Sequence, residues 1–268
     1  MTRHAVLEES LAWTPARGLT PRCGDGGGRL LVADSWLVRE GRVRGLERHR
    51  ERFLRACGEC SGPPLRRLLE FWRDAAAALP RTGEWFPRVE LAAGSLELRL
   101  LLRPAPPLEP DVRVWAAGQP DPRTRPRRKG PDLDALARVR RRASEEGASE
   151  AVLVAPSGAV LEAATASVVW WEGDALCLPP PRLPVLPGVT VGLLQERAHR
   201  LGIRVVHRER ALAELHDREV WLVNALHGIR PVTGWAGGTV GTVGSAPAVR
   251  APEWRRWLES LGEPISRA

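Results

Sequence analysis

Of the 40 Lys and Arg residues in the chain, a single one is lysine: Lys129. The chain also holds one asparagine, Asn224, no tyrosine, and one methionine at its start. Such depletion reads as a coding bias that replaces residues wherever chemistry permits. A survivor of a depleted type is then a candidate for a residue that cannot be replaced. Arginine substitutes for lysine on a solvated surface, yet it cannot act as a neutral amine near pH 7, because its guanidinium effectively never deprotonates. Lys129 is therefore a candidate nucleophilic amine, weighed against a chance leftover on a charged loop. Glu150 follows at the head of EAVLV, and Glu162 follows in VLEAATASVVWW. Next comes Leu-Pro-Gly-Val-Thr (186–190), where Gly188, Val189 and Thr190 open a helix. Free backbone N–H groups and the dipole make such an end suitable for an anion. VNALHGIRPV (223–232) comes last and carries Asn224.

These motifs need a mixed α and β frame to position them. RLLVADSWLV (29–38) has a strand pattern. LERHRERFLRACG (46–58) and LRRLLEFWRDAAAALP (65–80) are amphipathic helices, the second stopped by Pro80. PRVELAAG and LELRLLLRP (87–104) read as paired strands. Residues 104–131 are rich in proline, arginine and glycine and read as a linker. The expected organisation is a smaller α/β domain over 1–118, a linker over 119–129 and a larger α/β domain over 130–268. In the last, a helix over 133–147 precedes the strands EAVLVA, AVLEA and ASVVWWE, and a second helix runs from Gly188 to Gly202. IRVVHRER, EVWLVNAL and GIRPVTGW follow as strands, with the short helix ALAELHDR after the first of them.

The order and spacing of the motifs resemble the class IV aminotransferases, which have fold type IV and use pyridoxal 5'-phosphate (PLP). Branched-chain aminotransferases, D-amino-acid aminotransferases and 4-amino-4-deoxychorismate lyase belong to that group. The resemblance covers residues 28–235 and is strongest from 129 to 233. It implies that Lys129 forms the bond to the cofactor aldehyde and then shuttles a proton at the substrate carbon. It places Glu162 opposite the pyridine nitrogen, against the alternative of a surface strand residue. It sets Val189 and Thr190 at the phosphate. L-x-x-H-x-x-R-F, with His49 and Arg52, resembles the family helix whose arginine contacts the phosphate, which implies Arg52; His49 is read as a packing residue. Asn224 and Ala225 lie in the loop that the family sets beside the phosphate, although Asn224 is equally readable as a turn residue in the left-handed conformation. N-A-L-x-G-I-R-P-V is closer to the lyase version of that loop than to the branched-chain version. Several positions depart from the family. Ser167 stands where Asn is usual and Val191 where a basic residue is usual. Asp34 and Ser35 stand where a Glu-Thr pair is expected.

Composition bounds the alternatives. The net charge of +8 invites a nucleic-acid reading. However, the arginines are interleaved with carboxylates, and the one basic run, RTRPRRK (123–129), reads as a solvated linker. The tryptophans of VVWW and EVWLV fit core packing better than base stacking, so no nucleic-acid partner is expected. No apolar run approaches the roughly 18 residues of a membrane span, and the start lacks the apolar segment of a signal peptide. A cytoplasmic protein is expected. Cys57 and Cys60 form a lone Cys-x-x-Cys pair without further ligands at metal-site spacing, so structural thiols are expected and no metal. The resemblance thus implies a PLP enzyme that acts as a homodimer on a small anionic amino substrate, with lyase and transaminase both left open and a slight lean to the lyase from the NALxGIRPV loop and the chain length. The lyase would eliminate pyruvate from 4-amino-4-deoxychorismate and leave 4-aminobenzoate; the transaminase would be of the branched-chain or D-amino-acid type. A catalytically lapsed relative binding an acidic partner is the rival from another class.

Overall fold

The computed structural model describes residues 8–22, 28–237 and 243–265; Cys23 lies outside them. The chain forms two compact units. The first comprises Met1–Leu108, Arg128–Pro131 and Leu261–Ala268. The second comprises Glu109–Arg127 and Asp132–Ser260.

The first unit is built on an antiparallel sheet in the order Gly18–Pro21, Glu9–Thr14, Leu98–Leu102, Arg88–Ala92, Leu30–Ser35. Two amphipathic helices supply much of its core. Leu46–Glu59 buries His49, Phe53, Ala56 and Cys57, and Leu65–Ala77 buries Leu68, Phe71, Trp72 and Ala75. Both sets follow the helical period of three and four, so each helix turns one stripe inward. Phe53 packs against Phe71 and Trp72, and Trp36 against Trp72. Gly45 caps the first helix in the left-handed region, φ 63°, where a side chain would be strained. A small second sheet joins Gly262–Pro264, Arg42–Arg44, Val38–Arg39 and Glu84–Trp85.

A mixed sheet organises the second unit. Its order is Val160–Ala163, Glu150–Val154, Val112–Pro120, Gly228–Ala236, Val220–Asn224, Ser167–Glu172, Ala175–Leu178, Val205–His207, with Val243–Gly244 pairing Gly228–Ala236. Helices Leu133–Glu145, Val189–Arg200 and Ala251–Ser260 accompany it. Trp170, Trp221 and Trp235 are fully buried, and Trp171, Trp221 and Trp254 contact one another with ring centroids 5.5–5.8 Å apart. These rings are core, which removes them from any base-stacking surface.

The stretch expected as a linker is largely structured. Val112–Pro120 pairs in parallel with both Glu150–Val154 and Gly228–Ala236, inside the sheet. Val112 and Val114 are buried two residues apart, a strand alternation that the flanking prolines obscured. The division between units therefore follows Leu108 rather than a point near 118, and Arg128–Pro131 returns to the first unit. The segment ALAELHDR forms a 3₁₀ turn, Leu212–Leu215, in place of a short α-helix. Among the described residues no helix is long and apolar enough to cross a membrane.

Candidate active site

In the first unit Lys129 is pinned through its backbone. The Ala33 N–H donates to the Lys129 carbonyl at 2.8 Å, which ties the lysine to strand Leu30–Ser35. The next residue must be glycine. Gly130 has φ 130°, and a Cβ there would sit 2.7–2.9 Å from the Ala33 and Val32 backbone. The Lys129 side chain is partly buried, and its ammonium makes no hydrogen bond or ion pair with the described residues. Burial first, and then the nearby positive charge of Arg52, push its pKa down to about 8, with Asp34 opposing and Arg103 and Arg88 adding to the fall. About half of this amine is neutral at pH 8, against a small fraction for an ordinary lysine.

Arg52 stands one helical turn after His49, and both meet Asp34. The Arg52 Nε donates to Asp34 Oδ2 and its Nη2 to Oδ1, each at 2.8 Å. His49 Nδ1 lies 2.8 Å from Oδ1. Burial alone would raise the Asp34 pKa, but Arg52 and His49 outweigh it and hold the carboxyl well below the usual range. The ionised carboxylate accepts only, so His49 Nδ1 carries the proton of this contact. Burial also lowers the His49 pKa. The imidazole, 5.6 Å from the Trp36 ring, braces Asp34 and the helix, in keeping with its reading as a packing residue. Arg103 donates through Nε to the Phe86 carbonyl at 2.8 Å, with its guanidinium 5.0 Å from the Phe86 ring centroid.

Glu162 occupies the second unit, on strand Val160–Ala163, and is buried. Its Oε1 accepts the Leu186 N–H at 2.9 Å and a close hydrogen bond from Arg123 Nη1. Burial raises its pKa to about 7 against the pull of Arg123. Arg123, the first residue of the basic run expected to be solvated, has a side chain only 5% exposed. Asp121 takes its Nε and Nη2 at 2.7 and 2.8 Å. The run is therefore anchored at its start by carboxylates, which correct the linker reading.

Leu186 leads directly into the helix start. Gly188 is the N-cap, and Val189 and Thr190, both buried, begin Val189–Arg200. A Cβ on Gly188 would approach Ser167 Oγ to 2.9 Å, so glycine here and a small residue at 167 go together. The first-turn N–H groups of this helix have no partner inside it. Asn224 ends strand Val220–Asn224. Its Oδ1 accepts the N–H groups of Leu226 and His227 at 3.1 and 2.8 Å, and its Nδ2 donates to the Thr165 carbonyl at 3.2 Å. This is an Asx-type turn. The left-handed conformation falls to Gly228, φ 72°, and not to Asn224, which corrects that part of the turn reading. Ala225 lies within the same turn. Thr165 in turn donates through its hydroxyl to the fully buried Glu150, whose pKa burial raises.

The first unit thus brings together Arg52 and Lys129, and the second joins Glu162 to the 186–190 turn. Sequence reasoning missed Arg123 and Asp121. Among so many arginines, only the alternation of charge in D-P-R beside a hidden strand end hinted at them.

Residues 31–235 match the family described as Amino-transferase class IV. The chain belongs to the class IV aminotransferase family. Over 96 residues it is 34% identical to a bifunctional aminodeoxychorismate lyase / D-amino acid transaminase of Mycobacterium tuberculosis (strain ATCC 25618 / H37Rv). That match spans 33% of each protein, about a third of the relative's length. The fold is similar to that of a hypothetical aminotransferase from Mycobacterium tuberculosis in its alpha-ketoglutarate and PMP bound form, with a TM-score of 0.76, 21% identity, and 94% and 98% of the two chains covered. A fold IV-transaminase from Curtobacterium pusillum gives a TM-score of 0.71 at 18% identity, covering 94% of this chain and 97% of the other. The fold is therefore type IV. Arg52, Lys129, Glu162, Val189, Thr190, Asn224 and Ala225 all lie within the span that matches this family of PLP-dependent enzymes.

Proposed function

We propose that this class IV aminotransferase-family protein is a PLP-dependent enzyme acting on a small anionic amino substrate. The observation that carries the reading is Lys129: the one lysine of the chain, backbone-pinned beside Gly130, with a desolvated amine that makes no hydrogen bond or ion pair with the described residues. The residues present fit the cofactor. A nucleophilic amine, a buried carboxylate, an arginine and a helix N-terminus are the donor set that an aldehyde, a pyridine nitrogen and a phosphate require.

In this reading Lys129 Nζ would hold the aldehyde, and Glu162 would serve the ring nitrogen. Arg52 and the first N–H groups of Val189–Arg200 supply positive charge and donors to the phosphate. Asn224 shapes the loop that brings Ala225 to the same group. When bound, PLP would supply an electron sink for the substrate α-carbon. Lys129 Nζ then serves as the base for the α-carbon proton, and its pKa near 8 suits it to take and return a proton close to neutral pH. Asp34 keeps Arg52 in place and partly offsets the cations around the amine.

Within this chemistry we favour elimination of pyruvate from 4-amino-4-deoxychorismate, giving 4-aminobenzoate. The NALxGIRPV loop supports it, as does the lyase activity in the name of the 34% identical relative. That name also contains a D-amino acid transaminase, so amino-acid transamination is the second reading. We further propose a cytoplasmic homodimer. The purified protein supplied with PLP should show a visible absorbance band that borohydride fixes covalently, absent in Lys129→Ala. A native protein that stays colourless would contradict the reading. Release of 4-aminobenzoate and pyruvate would select the lyase; transfer of the amino group to a keto acid alone would select the transaminase.

A further inference from the structure

The second unit contains an arginine that the proposed chemistry does not use. Arg123 is held on every side of its guanidinium. Nε and Nη2 grip the two oxygens of Asp121, Nη2 also donates to the Pro184 carbonyl at 3.0 Å, and Nη1 donates to Glu162 and, at 3.4 Å, to the Pro126 carbonyl. The Arg123 N–H adds a third tie to Asp121 at 3.0 Å. Such a guanidinium is fixed in position. It meets only one oxygen of Glu162. The Leu186 N–H reaches that same oxygen, Oε1, at 2.9 Å. Oε2 accepts no hydrogen bond from the described residues.

We infer that Arg123 is a positioning residue for Glu162, fixing Oε1 so that Oε2 is presented to the ring nitrogen of the cofactor. This inference rests on the reading that Glu162 faces that nitrogen. Its physical basis is a competition. Both side chains of the pair are 5% exposed, and burial favours the neutral acid. A buried carboxylate stays charged only where a partner offsets its desolvation. Arg123 provides part of that offset, and Asp121 holds Arg123 where it can. Doubling the donors on Oε1 also fixes the carboxylate plane, which leaves the second oxygen a single direction. A hydrogen bond to a charged carboxylate is roughly twice as strong as its neutral counterpart. Without Arg123 the carboxyl becomes the neutral acid and its orientation is lost.

A merely structural ion pair would weaken every ligand of the site alike. A positioning role acts on the ring nitrogen alone. The test compares dissociation constants, followed by tryptophan fluorescence, for PLP and for an analogue with carbon in place of the ring nitrogen. The preference of the native protein for PLP over the analogue should fall about tenfold in Glu162→Gln and about as far in Arg123→Gln, the size expected for one charge-assisted hydrogen bond. Arg123→Lys, which keeps the charge, should recover part of it. Asp121→Asn, which loosens Arg123 without removing it, should lower the preference by a smaller factor and decides the matter if Arg123→Gln does not fold. Equal weakening of both ligands in the Arg123 and Asp121 variants overturns the inference. An unchanged preference in Glu162→Gln shows instead that Glu162 does not face the ring nitrogen, and the inference falls with that reading.

Discussion

Each unit contains an arginine gripped by an aspartate, and the two pairs are mirror images in purpose. In the first unit Asp34 holds Arg52 bidentately, and the cation is the residue expected to meet a ligand. In the second, Asp121 holds Arg123 bidentately, and the cation meets Glu162, the carboxylate expected to meet a ligand. The same Asp–Arg geometry thus serves to aim a positive group in one place and a negative group in the other. The electrostatic consequences differ accordingly. The first unit surrounds Lys129 with Arg52, Arg103 and Arg88, and with burial they drive the amine toward its neutral form. The second buries Glu162 until its carboxyl titrates near neutrality despite Arg123. Burial acts against the charged state of both groups, and each unit answers with a partner of opposite sign.

Removing the holder in the first unit should have the largest effect. Asp34→Ala leaves the mostly buried Arg52 without its carboxylate and should cost about 3–5 kcal/mol of stability at pH 7, measured by denaturant unfolding. The sign with pH is set by a depressed pKa. The stability that Asp34 contributes is present above about pH 4, the unfolded value, and is lost as the pH falls below it. The native and variant curves should converge in acid; a constant gap down to low pH would mean that packing, not charge, holds the site.

The carboxylate of the second unit should show the opposite slope. Its folded pKa is raised to about 7, so the native protein loses stability relative to Glu162→Gln as the pH climbs from about 4.5 to 7. The change should approach about 3 kcal/mol, because each pH unit crossed in that window contributes roughly 1.4 kcal/mol. A flat difference across the window would show that Arg123 fully offsets the burial.

A smaller effect separates the neighbours of Lys129. Because the chain has one lysine, the pH dependence of its reaction with trinitrobenzenesulfonate, resolved from that of the N-terminal amine by peptide mapping, reports a single side chain. The midpoint should lie near 8 in the native apoprotein, rise in Arg52→Gln and fall in Asp34→Asn, since the first removes a cation and the second an anion. Shifts of the same sign in both variants would show that the charges act through folding and not directly on the amine.

Most of this frame is legible in the residues themselves. The helices over 46–58 and 65–80 follow from period alone and each buries residues three and four apart, His49 and Phe53 among them, but the face is only partly the one read from the sequence, since Leu46 and Leu54 are only half-buried and Leu65 and Leu69 are exposed. Lys129 stands out because a depleted residue type survives there, and Glu162 because an ordered set of motifs surrounds it. Val112–Pro120 is hidden by its flanking prolines, although Val112 and Val114 alternate as a buried strand should. Arg123 is hidden by its own kind. A basic run looks solvated until the carboxylates that neutralise it are found, and Glu162 lies 39 residues away in the chain. Asn224 is legible as a turn residue, but its conformation is not, because the glycine at 228 takes the left-handed position.

The central claim is that Lys129 bonds the cofactor, and borohydride reduction of the PLP-loaded protein followed by peptide mass mapping tests it most directly. One added pyridoxyl group is expected on the peptide that contains Lys129. Attachment only at the chain's N-terminal amine, or none at all, would contradict it.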